Sequence, residues 1–163
     1  MKTRIWIASG TAALLIASLV FQGTSSLSPS SAHADAPQAS TATKPVEPSM
    51  HEFMEYVFEE PYKRLKTSMA AEPADKAAWK IIKSDALILA EAGNLLILRD
   101  ADAGDDAAAW RKHSAAVRYA GGEFYQAARK RDYAAAKASY TALLNKCNAC
   151  HNAFADGEHQ LTP

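Results

Sequence analysis

Four stretches of the chain repeat apolar residues at intervals of three and four, the spacing that gathers them on one face of an α-helix. The first opens on Ser49, a good N-cap, and runs to about Met69. Met50, Phe53, Met54, Val57, Phe58, Tyr62, Leu65 and Met69 share one face, and Glu52, Glu55, Glu59, Lys63 and Lys66 cover the other. Pro61 lies inside this stretch and predicts a kink or break near Phe58, because proline has no N–H to give and crowds the preceding turn. The second stretch begins around Pro73 and runs to about Arg99, with Trp79, Ile82, Ala86, Leu89 and Leu96 in its core stripe. A turn at Asp100–Asp106 precedes the third, which starts from Asp105 or Asp106 and carries Trp110, Val117, Phe124 and Ala128. Gly121-Gly122 is its expected weak point. The fourth is capped by Asp132 and runs to about Ala155. Its stripe is Tyr133, Ala136, Tyr140, Leu143, Leu144, Cys147, His151 and Phe154. Four amphipathic helices with short connections predict an all-α fold, an antiparallel up-down-up-down four-helix bundle.

The flanks carry a different pattern. Lys2 and Arg4 precede a mostly apolar, uncharged run from Ile5 to Phe21, and a serine-rich stretch then ends in Ala32-His33-Ala34. That order is a secretory signal peptide, predicted over residues 1–34, with cleavage before Asp35. The apolar run sits at the lower limit for spanning a bilayer, so a retained anchor is the competing reading. Residues 35–48 are rich in proline, alanine and threonine and read as a flexible leader. The bundle domain is expected over residues 49–157, with a C-terminal tail at 158–163.

Composition adds limits. The 163 residues are 48% apolar and 22% charged, ordinary for a globular chain. Eighteen basic residues balance eighteen acidic ones, so no global field draws the chain to nucleic acid or to anionic lipid. Seven glycines and seven prolines among alanine-rich stretches argue against a many-stranded β architecture. The only cysteines are Cys147 and Cys150, too few for a disulfide framework.

Both cysteines belong to Cys147-Asn148-Ala149-Cys150-His151, the C-x-x-C-H signature of c-type haem attachment. On a helix these three side chains project within about 100° of arc, so each thiol can add to one haem vinyl group while the imidazole reaches the iron. Export supplies the oxidising compartment in which such attachment is made. A redox-active C-x-x-C normally stands at a helix N-terminus after a strand, where its thiol pKa is lowered. This pair lies near a helix C-terminus. A structural zinc site needs four ligands, and no second C-x-x-C or H-x-x-x-H accompanies this one.

With Cys147, Cys150, His151 and the aromatic Phe154 near the end of the last of four helices, the chain resembles the class II cytochromes c. These comprise cytochrome c′ and its low-spin, methionine-ligated relatives. The resemblance covers about Ser49 to Asp156 and implies one covalently attached haem c in a four-helix bundle. Two positions depart from the family pattern: Ala155 stands where a basic residue often follows the aromatic, and Met50 where an arginine often precedes the sixth ligand. Arg129-Lys130-Arg131 is a candidate for holding the haem propionates, although such a run between helices is more often a solvated turn.

The second axial ligand decides what such a haem does. In an antiparallel bundle the end of the fourth helix lies beside the start of the first, so the partner of His151 comes from the first turns. Met69 is about 22 Å along the helix from Met54 at 1.5 Å per residue and is excluded. Met50, His51 and Met54 remain, with Met54 nearest the middle of the apolar arc. A methionine core stripe is ordinarily plain filler; beside a haem, methionine–histidine ligation raises the reduction potential and suits electron transfer. The metal ligands expected are therefore His151 and Met54. His113, beside Arg111 and Lys112, reads as a partly exposed surface residue, and His159 as part of the polar tail.

The function expected is an exported, periplasmic mono-haem electron carrier that exchanges electrons with redox partner proteins. It is not an enzyme and has no stable membrane association once the signal is cleaved; a homodimer stays open. The alternative is binding of nitric oxide or carbon monoxide at an open or labile sixth position.

Overall fold

Ser49, Asp75 and Asp132 each open a helix by the same local chemistry: the side-chain oxygen accepts the main-chain N–H three residues on, from Glu52, Ala78 and Ala135 at 3.3, 2.8 and 2.9 Å. The computed structural model describes residues 44–163. The segment read as a signal peptide and most of the segment read as a leader lie outside the described residues. Among those described, every regular element is helical: α1 (Met50–Phe53), a π-helical stretch (Met54–Glu59), α2 (Glu60–Ser68), α3 (Lys76–Ile97), a 3₁₀ segment (Asp100–Asp106), α4 (Ala107–Lys130) and α5 (Tyr133–Phe154). No helix among them is long and apolar enough to cross a membrane.

The irregularity expected near Phe58 is present, as a π-helical stretch reaching back to Met54 rather than as a break: α1, that stretch and α2 follow one another continuously, and Pro61 itself is buried. Pro61 gives no N–H to the Val57 carbonyl and crowds it, and a wider turn relieves that crowding. The second helix starts not at Pro73 but after Asp75, because Asp75 and not the proline supplies the cap.

The four helices pack around a core built from Leu65, Ile82, Leu89, Val117, Phe124, Tyr140, Leu143 and Leu144, all 3% exposed or less. The glycine pair does not interrupt α4. Gly121 and Gly93 are instead points of close helix approach. A Cβ on Gly121 would stand 2.9 Å from Ala90 Cα, and one on Gly93 2.7 Å from Arg118 N, so only glycine lets α3 and α4 meet there. Asp85 of α3, 3% exposed, is paired through both oxygens with Arg64 of α2 at 2.7 and 3.1 Å.

The helix ends meet in two groups. Trp110 at the start of α4 donates to the Leu96 carbonyl at the end of α3 and packs on Phe154 at the end of α5. Tyr133 at the start of α5 donates to the Met69 carbonyl at the end of the first helix. The first group forms the end of the molecule that carries the cleft.

Candidate functional site

Cys147, Cys150 and His151 lie on α5 and line one cleft of about 460 Å³, within the size range of small-molecule and cofactor sites. Met50, His51, Met54, Phe58 and Tyr62 of the first helix also line it, and Leu96, Trp110, Val117 and Phe154 contribute apolar surface. The motif residues and the three candidate ligands of the first helix are thus brought to one cavity. Met69 is not among them; it is buried, with its carbonyl bound by Tyr133.

The three candidates differ in setting. Met50 and Met54 are half-buried and pack with Phe53, Leu96 and Trp110. The His51 side chain is 79% exposed, and its Nε2 stands 3.7 Å from Glu55. Met54 heads the π-helical stretch, so the Pro61-linked irregularity begins at the cleft itself. With Glu52 and Glu55, His51 is the one group of potential metal ligands gathered among the described residues, and it includes neither cysteine.

Both cysteines are free thiols. Burial, with Cys150 close by, pushes the Cys147 thiol from its ordinary 9.0 up to about 12, and burial raises Cys150 as well. A dithiol oxidoreductase needs the opposite, a lowered pKa that makes a thiolate available.

His151 is oriented by the tail. Its Nδ1–H donates to the main-chain carbonyl of His159 at 2.9 Å; a carbonyl only accepts, so the proton sits on Nδ1 and Nε2 keeps its lone pair. Burial lowers the imidazole pKa, offset in part by that hydrogen bond; the lowering favours the neutral form, the one that binds metal.

Several placements were not legible beforehand. Residues 158–163 are no loose tail: His159, Gln160 and Leu161 line the cleft. His113 is half-buried, in keeping with the partly exposed residue expected, and what the sequence did not mark is its ring standing edge-on to Phe154 at 5.9 Å. Arg129, Lys130 and Arg131 sit at the α4–α5 corner and none lines the cleft. Arg99 is a buried cation at the cleft end, 6% exposed, stacked over Phe53 at 4.0 Å and bound to the Glu47 carbonyl. In sequence it is one basic residue at a helix end, with nothing to mark its burial.

The chemistry of this donor set fits a covalently bound haem: two neutral thiols and an imidazole with a free nitrogen on one wall, two thioethers on the other, apolar surface between. No protein-family model, curated protein or solved structure matches the chain.

Proposed function

We propose that this chain is an exported mono-haem c-type cytochrome of the class II kind that carries electrons. Cys147 and Cys150 would hold the haem as thioethers, and His151 and Met54 would hold its iron. Bound there, the group supplies a one-electron ferric–ferrous couple. The chain's own residues attach it, fix the imidazole, and exclude water with Phe58, Leu96, Trp110 and Phe154. The meeting of helix ends through Trp110, Leu96 and Phe154, and through Tyr133 and Met69, supports the antiparallel order that sets the first helix opposite His151.

One observation carries this reading: Cys147, Cys150 and His151 face the same apolar cleft as Met50 and Met54. The test is acid–acetone extraction followed by optical spectra of both oxidation states. Haem that stays on the chain, with a low-spin ferric spectrum and a sulfur-to-iron charge-transfer band, supports the carrier. Haem recovered wholly in the organic phase removes it.

The second reading, binding of nitric oxide or carbon monoxide, draws on the place of Met54 at the head of a π-helical turn. Backbone hydrogen bonding there is less regular than in an α-helix, and a ligand so mounted is more easily displaced. A high-spin ferric spectrum in the wild-type protein selects this reading.

A further inference from the structure

The chain after α5 turns back on itself through Asp156 at φ 49°, Gly157 at φ 77° and His159 at φ 57°. The Gly157 N–H bonds the His151 carbonyl at 3.1 Å, closing the turn. The returning segment is then fastened at three places. Asn148 holds Leu161 from both sides, its Nδ2 donating to the Leu161 carbonyl at 2.9 Å and its Oδ1 accepting the Leu161 N–H at 2.8 Å. Tyr62 donates its hydroxyl to the Thr162 carbonyl at 3.0 Å and accepts the Thr162 N–H at 3.2 Å. Lys66 Nζ reaches Thr162 Oγ1 at 2.7 Å. Between these fastenings and the turn lies the His159 carbonyl, bound to His151 Nδ1 at 2.9 Å.

Asn148 occupies a variable position of the C-x-x-C-H run, where attachment chemistry asks nothing of it. Its amide is the one neutral side-chain group, shared with glutamine, that presents a donor and an acceptor in a plane as a peptide does. It pairs with a tail residue as one strand pairs with the next.

We propose that residues 156–162 are a positioning strap for His151, latched by Asn148. The strap holds the His159 carbonyl on Nδ1, fixes the tautomer that turns Nε2 to the cleft, and raises the donor strength of Nε2. This rests on the haem reading above. A hydrogen bond from the far nitrogen of a ligating histidine fixes ring orientation and raises ligand basicity, and a more basic ligand stabilises the ferric state. Asn148 does not line the cleft and acts through His151, which the tail reaches by the His159 carbonyl.

The test uses the haem-loaded protein in three forms: wild type, Asn148→Ala, and a chain ending at Glu158, which removes the carbonyl itself. Two quantities are read: deuterium exchange of the His151 Nδ1–H by NMR, and the midpoint potential. In both variants the exchange should quicken about tenfold or more. The couple should shift toward the ferrous form by up to about tenfold, which is 59 mV for one electron. Asn148→Asp, which keeps the acceptor for the Leu161 N–H and loses the donor, should fall between. Haem retained with exchange and potential unchanged in Asn148→Ala and in the shortened chain overturns the strap and leaves the cytochrome reading standing. A wild-type chain that carries no covalent haem overturns both.

Discussion

Trp110 donates its indole N–H to the main-chain carbonyl of Leu96 at 2.7 Å, and so ties the start of α4 to the end of α3 beneath the cleft. Phe154 stands edge-on against the same indole at 5.1 Å. One buried side chain therefore joins three helices at the end where the candidate ligands lie. The Leu96 carbonyl also accepts the Arg99 N–H at 3.0 Å, so it keeps a partner if the indole is lost. Trp110→Phe should cost about 1 kcal/mol, the net worth of one hydrogen bond plus a small packing change. Trp110→Ala should cost about 3–5 kcal/mol. Urea unfolding of the wild type and the two variants gives both values.

The glycines of α3 and α4 should respond in opposite directions. Alanine at Gly93 or Gly121 drives a methyl into backbone at 2.7 or 2.9 Å, and the helices must part, at about 1–3 kcal/mol. Alanine at Gly122, which meets nothing within 4 Å, should stabilise by about 0.5–1 kcal/mol through helix propensity. Melting temperatures of the three single variants make the comparison. A stabilised Gly121→Ala variant would contradict the close crossing.

Met54→Ala should open the sixth coordination position if Met54 ligates. The ferric spectrum should move toward high spin, the reduction potential should fall, and carbon monoxide should bind the ferrous form. Met50→Ala should change little. Spectra and redox titration of the two variants decide between them. A change produced by Met50→Ala alone moves the ligand by one turn and keeps the electron-carrier reading.

If the cleft of about 460 Å³ holds haem as proposed, its apolar lining loses packing partners when the group is absent. The haem-free chain should melt lower and less cooperatively than the loaded protein, by calorimetry. Its stability should also depend on pH in the alkaline range. The Cys147 thiol titrates at about 12 when folded against an ordinary 9.0, so the unfolded chain loses that proton first. The contribution is intact below pH 9 and is lost as the pH rises toward about 12. Cys147→Ala in the haem-free chain should flatten that slope, as should thioether formation, which leaves no proton to lose.

What the sequence alone determined is what depends on near neighbours. Ser49 and Asp132 cap helices because a cap reaches only three residues along the chain. The apolar periods located the four helices and most of the core for the same reason. Cys147, Cys150 and His151 were bound to share a face because α-helical spacing leaves no other arrangement.

Tertiary structure decided what depends on distant residues. Nothing in the local pattern told that Gly93 and Gly121 lie at helix crossings, or that Arg64 pairs with a buried Asp85. Pro61 marked an irregularity, and the structure places it as a π-helical stretch from Met54 to Glu59 rather than as a break. The tail is the clearest case. Residues 158–163 are polar and show no period, so by composition they belong to solvent. They are held in place by Asn148 of the helix they follow and by Tyr62 and Lys66, the last two being side chains 100 and 96 positions away that come into reach only once the first helix packs beside α5.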